Sequence, residues 1–337
     1  MHHDRPLPLD PKLAIALGSA AALGALALQS NAAAKRAERE NPPRGHFVEA
    51  GGIRLHYLAR GEGEGPPVVL LHGNAVRAED WVASGVFDAL AARHRVVAFD
   101  RPGYGFSERP RDRIWGAEAQ AEVLAEAFHR LGLDRPVVVG HSWGALVAVA
   151  LGLDFADSVS GLVLASGYHY PTARADVAIF SPPAVPVLGD VVRYTVGPLV
   201  GGLIAPAMVR RMFAPLPVPP RFTAAVPIPM MLRPWQIKAS AEDAATMTLR
   251  AASVQSRYGE LGRMPVAIVA GSEDRIIDIE RHSVRLHGAI PGSRLWAVPR
   301  VGHMVHYAAR ELVVEAIERI AERTAPGWTE VDQMVQA

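Results

Sequence analysis

Residues 137–150 read VVVGHSWGALVAVA, a β-branched apolar stretch that passes into a small, alanine-rich one. The junction GHSWG matches the pattern G-x-S-x-G at Gly140, Ser142 and Gly144. A serine in a strained turn between a strand and a helix exposes its hydroxyl, and the flanking glycines let the two backbones approach closely. The stretch therefore predicts a strand, a tight turn and a helix, with Ser142 as a candidate nucleophile.

Short apolar runs alternate with helical patterns along the rest of the chain. The runs lie at 67–73, 95–100, 136–140, 161–166, 265–271 and 294–298, and helical patterns start at Ala117, Ala145 and Ile279. Continuous apolar runs are typical of parallel strands covered on both faces, and Gly51-Gly52 predicts an antiparallel hairpin before them. The alternation predicts an α/β fold with a mostly parallel open sheet, helices on both faces and ligand sites at the carboxyl ends of the strands.

Two strand ends beyond Ser142 carry the groups that a nucleophilic serine needs. A serine hydroxyl requires a base, and the base requires a carboxylate that orients it. Asp274 follows the run at 265–271, and His303 follows the run at 294–298. The order Ser, Asp, His along the chain is one of the known orders of a catalytic triad. We predict Ser142, Asp274 and His303 as the catalytic residues.

Each of the two partners has a rival close by in the sequence. Asp278 stands directly before an apolar-periodic helix, where it is better interpreted as the N-cap. His306 lies closer to the helix predicted to begin near Tyr307, whereas His303 lies in the loop closer to the strand end. The placement of these side chains favours Asp274 and His303.

The oxyanion of a tetrahedral intermediate needs hydrogen-bond donors. One predicted donor is the backbone N–H of Trp143, at the start of the helix after the candidate nucleophile. The loop LLHGNAV after the run at 67–73 places Asn74 over the same edge of the sheet. The backbone N–H groups of Asn74 and Trp143 are therefore the predicted oxyanion hole.

These motifs resemble those of the α/β-hydrolase superfamily. HGNAVRAEDW resembles its oxyanion loop, FDRPGYGFSERP its D-x-x-G-x-G-x-S turn, GHSWG its nucleophile elbow, GSEDRIID its acid loop and VGHMVHYAARE its histidine loop. The resemblance covers residues 46–167 and 260–325 and implies a capped serine hydrolase of the esterase or lipase type. In the second motif, Asp100 and Ser107 are expected to hold the loop and not to act in the chemistry.

The residue at the elbow separates two kinds of chemistry within the superfamily. HGN together with an HSW elbow is similar to haloalkane dehalogenases and epoxide hydrolases, whose nucleophile is an aspartate. A carboxylate forms an alkyl-enzyme ester, whereas a serine forms an acyl-enzyme from an ester, thioester or amide. Ser142 therefore predicts hydrolysis of a carboxylic ester. A cofactor-free haloperoxidase or perhydrolase, a C–C bond hydrolase and, less favoured, a non-catalytic binding protein are the alternatives.

The resemblance also implies a division of the chain. It gives a first part of the core at 46–167, an inserted helical cap at 168–259 and a second part of the core at 260–337. The cap sequence holds 13 of the 27 prolines, and six basic but no acidic residues lie between Asp190 and Glu242. An apolar, cationic cap suits a hydrophobic acyl or lipid ester taken from an anionic membrane surface. The alternative is a cap that packs its apolar faces on the core and solvates its arginines.

The segment 1–40 contains an uncharged stretch from Leu13 that continues to Ala34. Its length suffices to span a bilayer, so we expect membrane association through a single N-terminal helix at 13–34. The side of the membrane stays open because basic residues flank both ends almost equally. A signal peptide cleaved at the small residues 32–34, which would give a secreted or periplasmic protein, and a docked helix are the alternatives.

Composition narrows the classes of partner. Lys plus Arg (35) almost equals Asp plus Glu (34), so no net field favours nucleic acid, and a small-molecule ester is the expected ligand. The chain has no cysteine, which excludes disulfides and thiolate metal sites. No glycine-rich phosphate loop or metal-ligand motif occurs, so we expect neither a cofactor nor a metal.

Overall fold

The computed structural model describes residues 10–172, 177 and 181–324. Eight strands form one sheet in the order β1-β2-β4-β3-β5-β6-β7-β8. The strands are β1 (His46–Ala50), β2 (Ile53–Arg60), β3 (Gly65–Leu71), β4 (His94–Phe99), β5 (Val137–His141), β6 (Gly161–Ala165), β7 (Val266–Gly271) and β8 (Arg294–Val298). The pairs β1–β2 and β2–β4 are antiparallel, and all other pairs in the sheet are parallel. The predicted hairpin and mostly parallel sheet are confirmed.

Helices cover both faces of this sheet. The α-helices are α1 (Pro11–Glu40), α2 (Glu79–Ser84), α3 (Val86–Leu90), α4 (Ala117–Arg130), α5 (Trp143–Asp154), α6 (Leu188–Tyr194), α7 (Val196–Phe213), α8 (Pro220–Ala225), α9 (Ile228–Met231), α10 (Pro234–Val254), α11 (Arg285–Ala289), α12 (Val305–Ala308) and α13 (Arg310–Thr324). Short 3₁₀ helices lie at Ala156–Ser158, Pro182–Ala184 and Gln255–Arg263, and a π-helical turn at Glu280–Val284. The helix predicted from Ile279 is thus a π turn followed by α11.

The buried strands divide their side chains between two hydrophobic clusters, because successive residues of a strand point to opposite faces. On β3, Val69 and Leu71 join the cluster with α4 and α5, whereas Val68 and Leu70 join the cluster with α2, α3 and α13. A strand buried on both faces has no polar side to place in water, which explains the continuous apolar runs of the sequence.

The segment 168–259 is helical in its described part and follows β6. It contains α6 to α10, and α6 and α7 meet at a 61° bend. Residues of α7 and α10 line a cavity that also contains Ser142 and His303. The helices thus cover the carboxyl end of the sheet, as a cap would, while the boundaries of this segment as a domain stay a prediction.

Helix α1 has two parts with different surroundings. Within the described chain it is the single unbroken helix long and apolar enough to cross a membrane, and a signal sequence near the N-terminus would pass the same test. Its N-terminal part is exposed, with Leu28 still 74% exposed, whereas Ser30, Ala34 and Ala37 are buried against the rest of the protein. The helix therefore combines an unpacked apolar end with a docked end.

Candidate active site

The turn at Ser142 has the strained geometry that the sequence motif predicts. Ser142 has φ 54° and ψ −118°, in the left-handed half of the backbone map that residues with a side chain avoid. A Cβ on Gly140 would come within 2.4 Å of the Gly144 carbonyl oxygen, and one on Gly144 within 2.5 Å of the Leu71 carbonyl oxygen. The two glycines are therefore required because strand and helix backbones nearly touch here.

Asp274 and His303 form a buried pair at the ends of β7 and β8. His303 Nδ1 lies 2.7 Å from Asp274 Oδ2, and the two side chains are 3% and 2% exposed. The other carboxylate oxygen accepts hydrogen bonds from the backbone N–H groups of Ile276 and Ile277, at 2.7 and 2.9 Å. With both oxygens occupied, the carboxylate is fixed, and a ring that donates from Nδ1 keeps Nε2 available as a base.

Ser142 and His303 line the same cavity. Among the hydrogen bonds of the described residues, none joins the Ser142 hydroxyl to the His303 ring. Catalytic hydrogen bonds often shorten only when substrate binds, so this geometry is compatible with a serine and its base. The catalytic roles of the three residues stay a prediction.

The two rival side chains lie elsewhere. Asp278 Oδ1 accepts a hydrogen bond from the backbone N–H of Arg281 at 2.9 Å, in the capping role expected of it. His306 is fully buried, and its Nε2 lies 2.9 Å from Asp80 Oδ2. It belongs to α12, which begins at Val305, two residues before the predicted start. His306 is thus paired with a different carboxylate.

The loop after β3 lines the cavity and is held by contacts with neighbouring elements. The side-chain amide of Asn74 donates to the Ser240 carbonyl at 3.1 Å, and Ala75 has a left-handed φ of 66°. His72 Nε2 accepts a hydrogen bond from the backbone N–H of Arg101 at 3.0 Å. Burial and the nearby Arg101 lower the pKa of His72 to about 4, so its ring is neutral at pH 7. In the described chain, neither the Asn74 nor the Trp143 backbone N–H has a hydrogen-bond acceptor, so both are available as donors, as the predicted oxyanion hole requires.

Residues 66–309 match the family model described as alpha/beta hydrolase fold. This chain belongs to the α/β-hydrolase family. Haloalkane dehalogenase 2 of Mycobacterium bovis is 36% identical over 128 residues, 38% of this chain and 43% of that protein. The chain therefore aligns with less than half the length of that relative.

Two further similarities extend over most of the chain. The 2-hydroxy-6-oxo-2,4-heptadienoate hydrolase of Pseudomonas putida is 30% identical over 269 residues, 77% of this chain and 90% of that protein. The structure of a thermophilic esterase from Thermogutta terrifontis superposes with a TM-score of 0.64 and 26% identity, covering 82% of this chain and 97% of that one. Because these hydrolases differ in substrate, membership of the family leaves the substrate open.

The D-x-x-G-x-G-x-S turn of this α/β-hydrolase holds loops together, as expected. Asp100 accepts hydrogen bonds from the Ala78 and Phe106 backbone N–H groups at 2.8 and 3.0 Å, and its Oδ2 lies 2.7 Å from His56 Nδ1. Burial raises the pKa of Asp100, but the bond and charge of His56 outweigh it and hold the pKa below its ordinary value. Ser107 donates to the Asp100 carbonyl at 2.6 Å. Neither side chain lines the cavity.

Asp243 of α10 forms a buried network beside the cavity that the sequence did not reveal. It is fully buried, and its two oxygens accept from Arg101 Nη1 at 2.8 Å and from Arg109 Nη1 at 3.0 Å. The same Arg101 donates from Nε to the His72 carbonyl at 2.8 Å, and the Trp143 indole N–H donates to the Asp243 carbonyl at 2.9 Å. Asp243 thus ties the cap segment to the loop after β3 through its carboxylate and Arg101, and to the elbow through its backbone carbonyl. Arg101 lies inside a recognised motif, but no local pattern marks Asp243.

A buried cluster of potential metal ligands lies behind the elbow, formed by Asp80, His141 and His306. The carboxylate already bonds to His306 and to the Tyr307 hydroxyl, at 2.9 Å each. His141 Nε2 lies 3.1 Å from the His303 carbonyl oxygen, and burial, then His306 and His303, lower the pKa of His141 well below its ordinary value. Each side chain of the cluster thus has a hydrogen bond within the protein, whereas Nδ1 of His141 and Nδ1 of His306 are buried without a partner among the described residues.

The cavity above Ser142 has a volume of about 470 Å³. Its described lining is mainly apolar, and the residues from α7 and α10 include Val200, Ile204, Met208, Ile237 and Met247. None of the 30 described lining residues is a lysine or an arginine. The arrangement can hold an uncharged, apolar group against a serine.

Proposed function

We propose that this protein is a membrane-associated serine hydrolase that cleaves carboxylic esters of hydrophobic acids through an acyl-enzyme intermediate. The observation that carries the proposal is the strained Ser142, which lines one apolar cavity together with the Asp274-bound His303. The coarser statement, an enzyme of the α/β-hydrolase family, follows from the family match.

The proposed reaction uses His303 first as a base and then as an acid in each half-reaction. His303 takes the proton of the Ser142 hydroxyl as the oxygen attacks the ester carbonyl, and Asp274 holds the imidazole and stabilises its charge. The amides of Asn74 and Trp143 bind the oxyanion of the tetrahedral intermediate. The protonated His303 then donates to the departing alcohol. Water, activated by the same histidine, releases the acid and restores Ser142.

The nucleophile and the cavity favour an ester over the substrates of two relatives. The Mycobacterium bovis relative is a haloalkane dehalogenase, and that class resembles this chain but uses an aspartate where Ser142 stands. The Pseudomonas putida relative acts on a dienoate, which carries a carboxylate. The described cavity offers no cationic side chain to a carboxylate. An uncharged ester fits this lining better.

The surface around the cavity supports a hydrophobic substrate and contact with a membrane. Val196 and Val200 of α7 line the cavity and are also 45% and 52% exposed, so its opening is apolar. Leu203 on the same helix is 82% exposed. The unpacked end of α1 adds an apolar segment long enough to enter a bilayer.

The cap segment carries fewer unpaired, exposed positive charges than its composition suggests. Arg193 and Arg233 are buried and form ion pairs with Asp190 and Glu38, and Lys238 pairs with Glu242 at 2.7 Å. The remaining basic residues of the acid-free stretch are exposed: Arg210, Arg211 and Arg221. We therefore expect insertion of apolar side chains to contribute more to the proposed membrane binding than electrostatic attraction does.

Activity-based labelling tests the proposed nucleophile. A fluorophosphonate probe is expected to label the full-length protein, and Ser142→Ala is expected to abolish both labelling and hydrolysis of p-nitrophenyl esters. Ser166→Ala is the matched control, because Ser166 also has a positive φ, of 45°, at a strand end but does not line the cavity. Retained turnover in Ser142→Ala would refute the proposal.

A series of esters of increasing acyl length tests the substrate class. We expect kcat/KM to rise from acetyl to medium-chain acyl groups because each buried methylene contributes about 0.8 kcal/mol. Anionic and neutral vesicles should both raise the rate on long-chain esters. A flat profile without a vesicle effect would contradict the hydrophobic substrate, and faster peracid formation from acid and peroxide would favour the perhydrolase alternative.

A further inference from the structure

An unbroken chain of hydrogen bonds connects the N-terminal helix to the oxyanion loop. Glu38 of α1 accepts from Arg233 Nη1 at 2.8 Å, and Arg233 Nη2 donates to Gln236 Oε1 at 2.8 Å. Gln236 Nε2 in turn donates to the Ala75 carbonyl at 3.0 Å. Ala75 directly follows Asn74, whose backbone N–H is a proposed oxyanion donor. The side chains of Glu38, Arg233 and Gln236 thus connect α1, whose N-terminal part is apolar and exposed, to the loop that carries Asn74.

The charge of Arg233 makes this connection sensitive to Glu38. Arg233 is 0% exposed, and in the described part of the chain no carboxylate other than Glu38 forms an ion pair with it. Burial lowers the pKa of Arg233, and the Glu38 carboxylate opposes that shift. Its other hydrogen-bond partners, Gln236 and the carbonyls of Gly105 and Met230, are neutral. Removal of Glu38 would leave a buried cation without an ion-pair partner among the described residues, with only the charge of Asp100, beyond ion-pair distance, opposing its burial. A protein avoids this state by moving the group or admitting water.

The oxyanion loop is the part of the site that such a movement would reach. Ala75 holds a left-handed φ of 66°, which an alanine adopts only where surrounding contacts fix it. Gln236 supplies one of these contacts and is itself 1% exposed. A displaced Arg233 would draw Gln236 away from the Ala75 carbonyl, and relaxation of Ala75 would shift the Asn74 amide before it.

We infer that Glu38, Arg233 and Gln236 are positioning residues for the oxyanion hole, so that the docked end of the N-terminal helix is a structural part of the active site. The inference rests on the proposed function, because it concerns the hole in which that reaction stabilises its oxyanion. It extends the role of the helix beyond attachment to a membrane.

The test compares Glu38→Ala with Glu40→Ala in the full-length protein in detergent micelles. Glu40 lies on the same helix, but it pairs with Arg36 on the exposed surface, so its removal deletes the same charge without touching Arg233. Hydrolysis of a short p-nitrophenyl ester gives kcat and KM, and fluorophosphonate titration counts the active sites. We expect Glu38→Ala to lower kcat per titrated site about 10-fold or more, with KM within about twofold of the wild type, since loss of an oxyanion donor costs about 10²–10³ in kcat. Glu40→Ala should match the wild type.

A transition-state analogue separates positioning from mere folding. The affinity of a trifluoromethyl ketone, whose adduct carries an oxyanion, should fall in parallel with kcat in Glu38→Ala. Glu38→Asp should recover part of both losses. Gln236→Leu breaks the same chain without leaving an unpaired charge, and its effect should not add to that of Glu38→Ala.

The outcomes are distinguishable. A wild-type kcat per titrated site in Glu38→Ala, even with reduced thermal stability, would overturn the inference, as would an equal loss in Glu40→Ala. In both cases normal labelling of Ser142 would leave the proposed function intact. A wild-type protein that the probe does not label would overturn the proposed function and this inference with it.

Discussion

Acidification should destabilise this protein through histidines that are buried in the neutral state. Burial, followed by the nearby Arg101, lowers the pKa of His72 to about 4, and burial, followed by His282, lowers the pKa of His169 to about 3. His141 is shifted well below its ordinary value, also chiefly by burial. Both ring nitrogens of His169 are buried without a hydrogen-bond partner among the described residues, so none of these residues stabilises a proton on the ring through a hydrogen bond.

The sign and size of the effect follow from linkage. A histidine whose folded-state pKa lies below the unfolded value binds fewer protons in the native state, so stability is fully present above about pH 6.5 and falls as the pH drops toward the folded pKa. Between pH 7 and pH 5 each such histidine costs about 2 kcal/mol, since the unfolded chain gains about 1.4 kcal/mol per pH unit below its pKa. His72 and His169 together cost about 4 kcal/mol, a large part of the usual 5–15 kcal/mol of a folded protein, and His141 acts in the same direction.

Urea denaturation at pH 7 and pH 5, followed by tryptophan fluorescence, measures the effect. The difference between the two pH values should be about 2 kcal/mol smaller in His169→Phe than in the wild type, because one titrating group is gone. His129→Gln, at an exposed position on α4, is the matched control and should behave as the wild type. An equal pH dependence in wild type and His169→Phe would refute the reasoning, whatever the other groups contribute.

Three substitutions test the parts of the site directly. Gly144→Ala should abolish fluorophosphonate labelling, because its Cβ would lie 2.5 Å from a carbonyl oxygen of β3, whereas Gly288→Ala, with no atom within 4 Å of the added carbon, should label normally. Asp243→Asn should lower the free energy of unfolding in urea by about 3–5 kcal/mol, since two buried guanidinium groups lose their shared charge; a loss below about 1 kcal/mol would contradict the network. Val200→Trp should shift the preferred ester to shorter acyl groups by filling the cavity, and the same change at exposed Leu203 should leave the acyl profile as it is.

Local patterns of the sequence were sufficient to predict the strands of the sheet and the turn at Ser142. The apolar run predicted at 136–140 is β5 (Val137–His141), and Gly140 is required by its contact with the helix that directly follows this strand. Gly144 is required by its contact with the end of β3, although the motif marks it locally. Such features are encoded within a few residues, because side-chain alternation and backbone sterics act over one turn. The same holds for Asp278, whose capping bond spans three residues.

The pairing partners of neighbouring polar residues could be assigned fully only from the tertiary structure. His303 and His306 are three positions apart, and their partners, Asp274 and Asp80, lie 29 and 226 residues away. The position of His303 and Asp274 at strand ends predicted their pairing. No sequence pattern near His306 predicts its pairing with Asp80. Long-range pairing of this kind depends on which elements the order of strands in the sheet brings together. That order cannot be read from the order of the strands along the chain.

The sequence by itself determined the family, the candidate nucleophile and its candidate partners, because the α/β-hydrolase motifs are short and sit at the ends of strands whose pattern is local. Only the tertiary structure decided that Asp243 joins the cap segment to the oxyanion loop and that Arg233 pairs with Glu38, 195 residues away. The physical reason is that a buried charge must find a counter-charge wherever packing provides one. Composition therefore overstated the free positive charge of the cap segment, and the fold shows part of it committed to holding the site together.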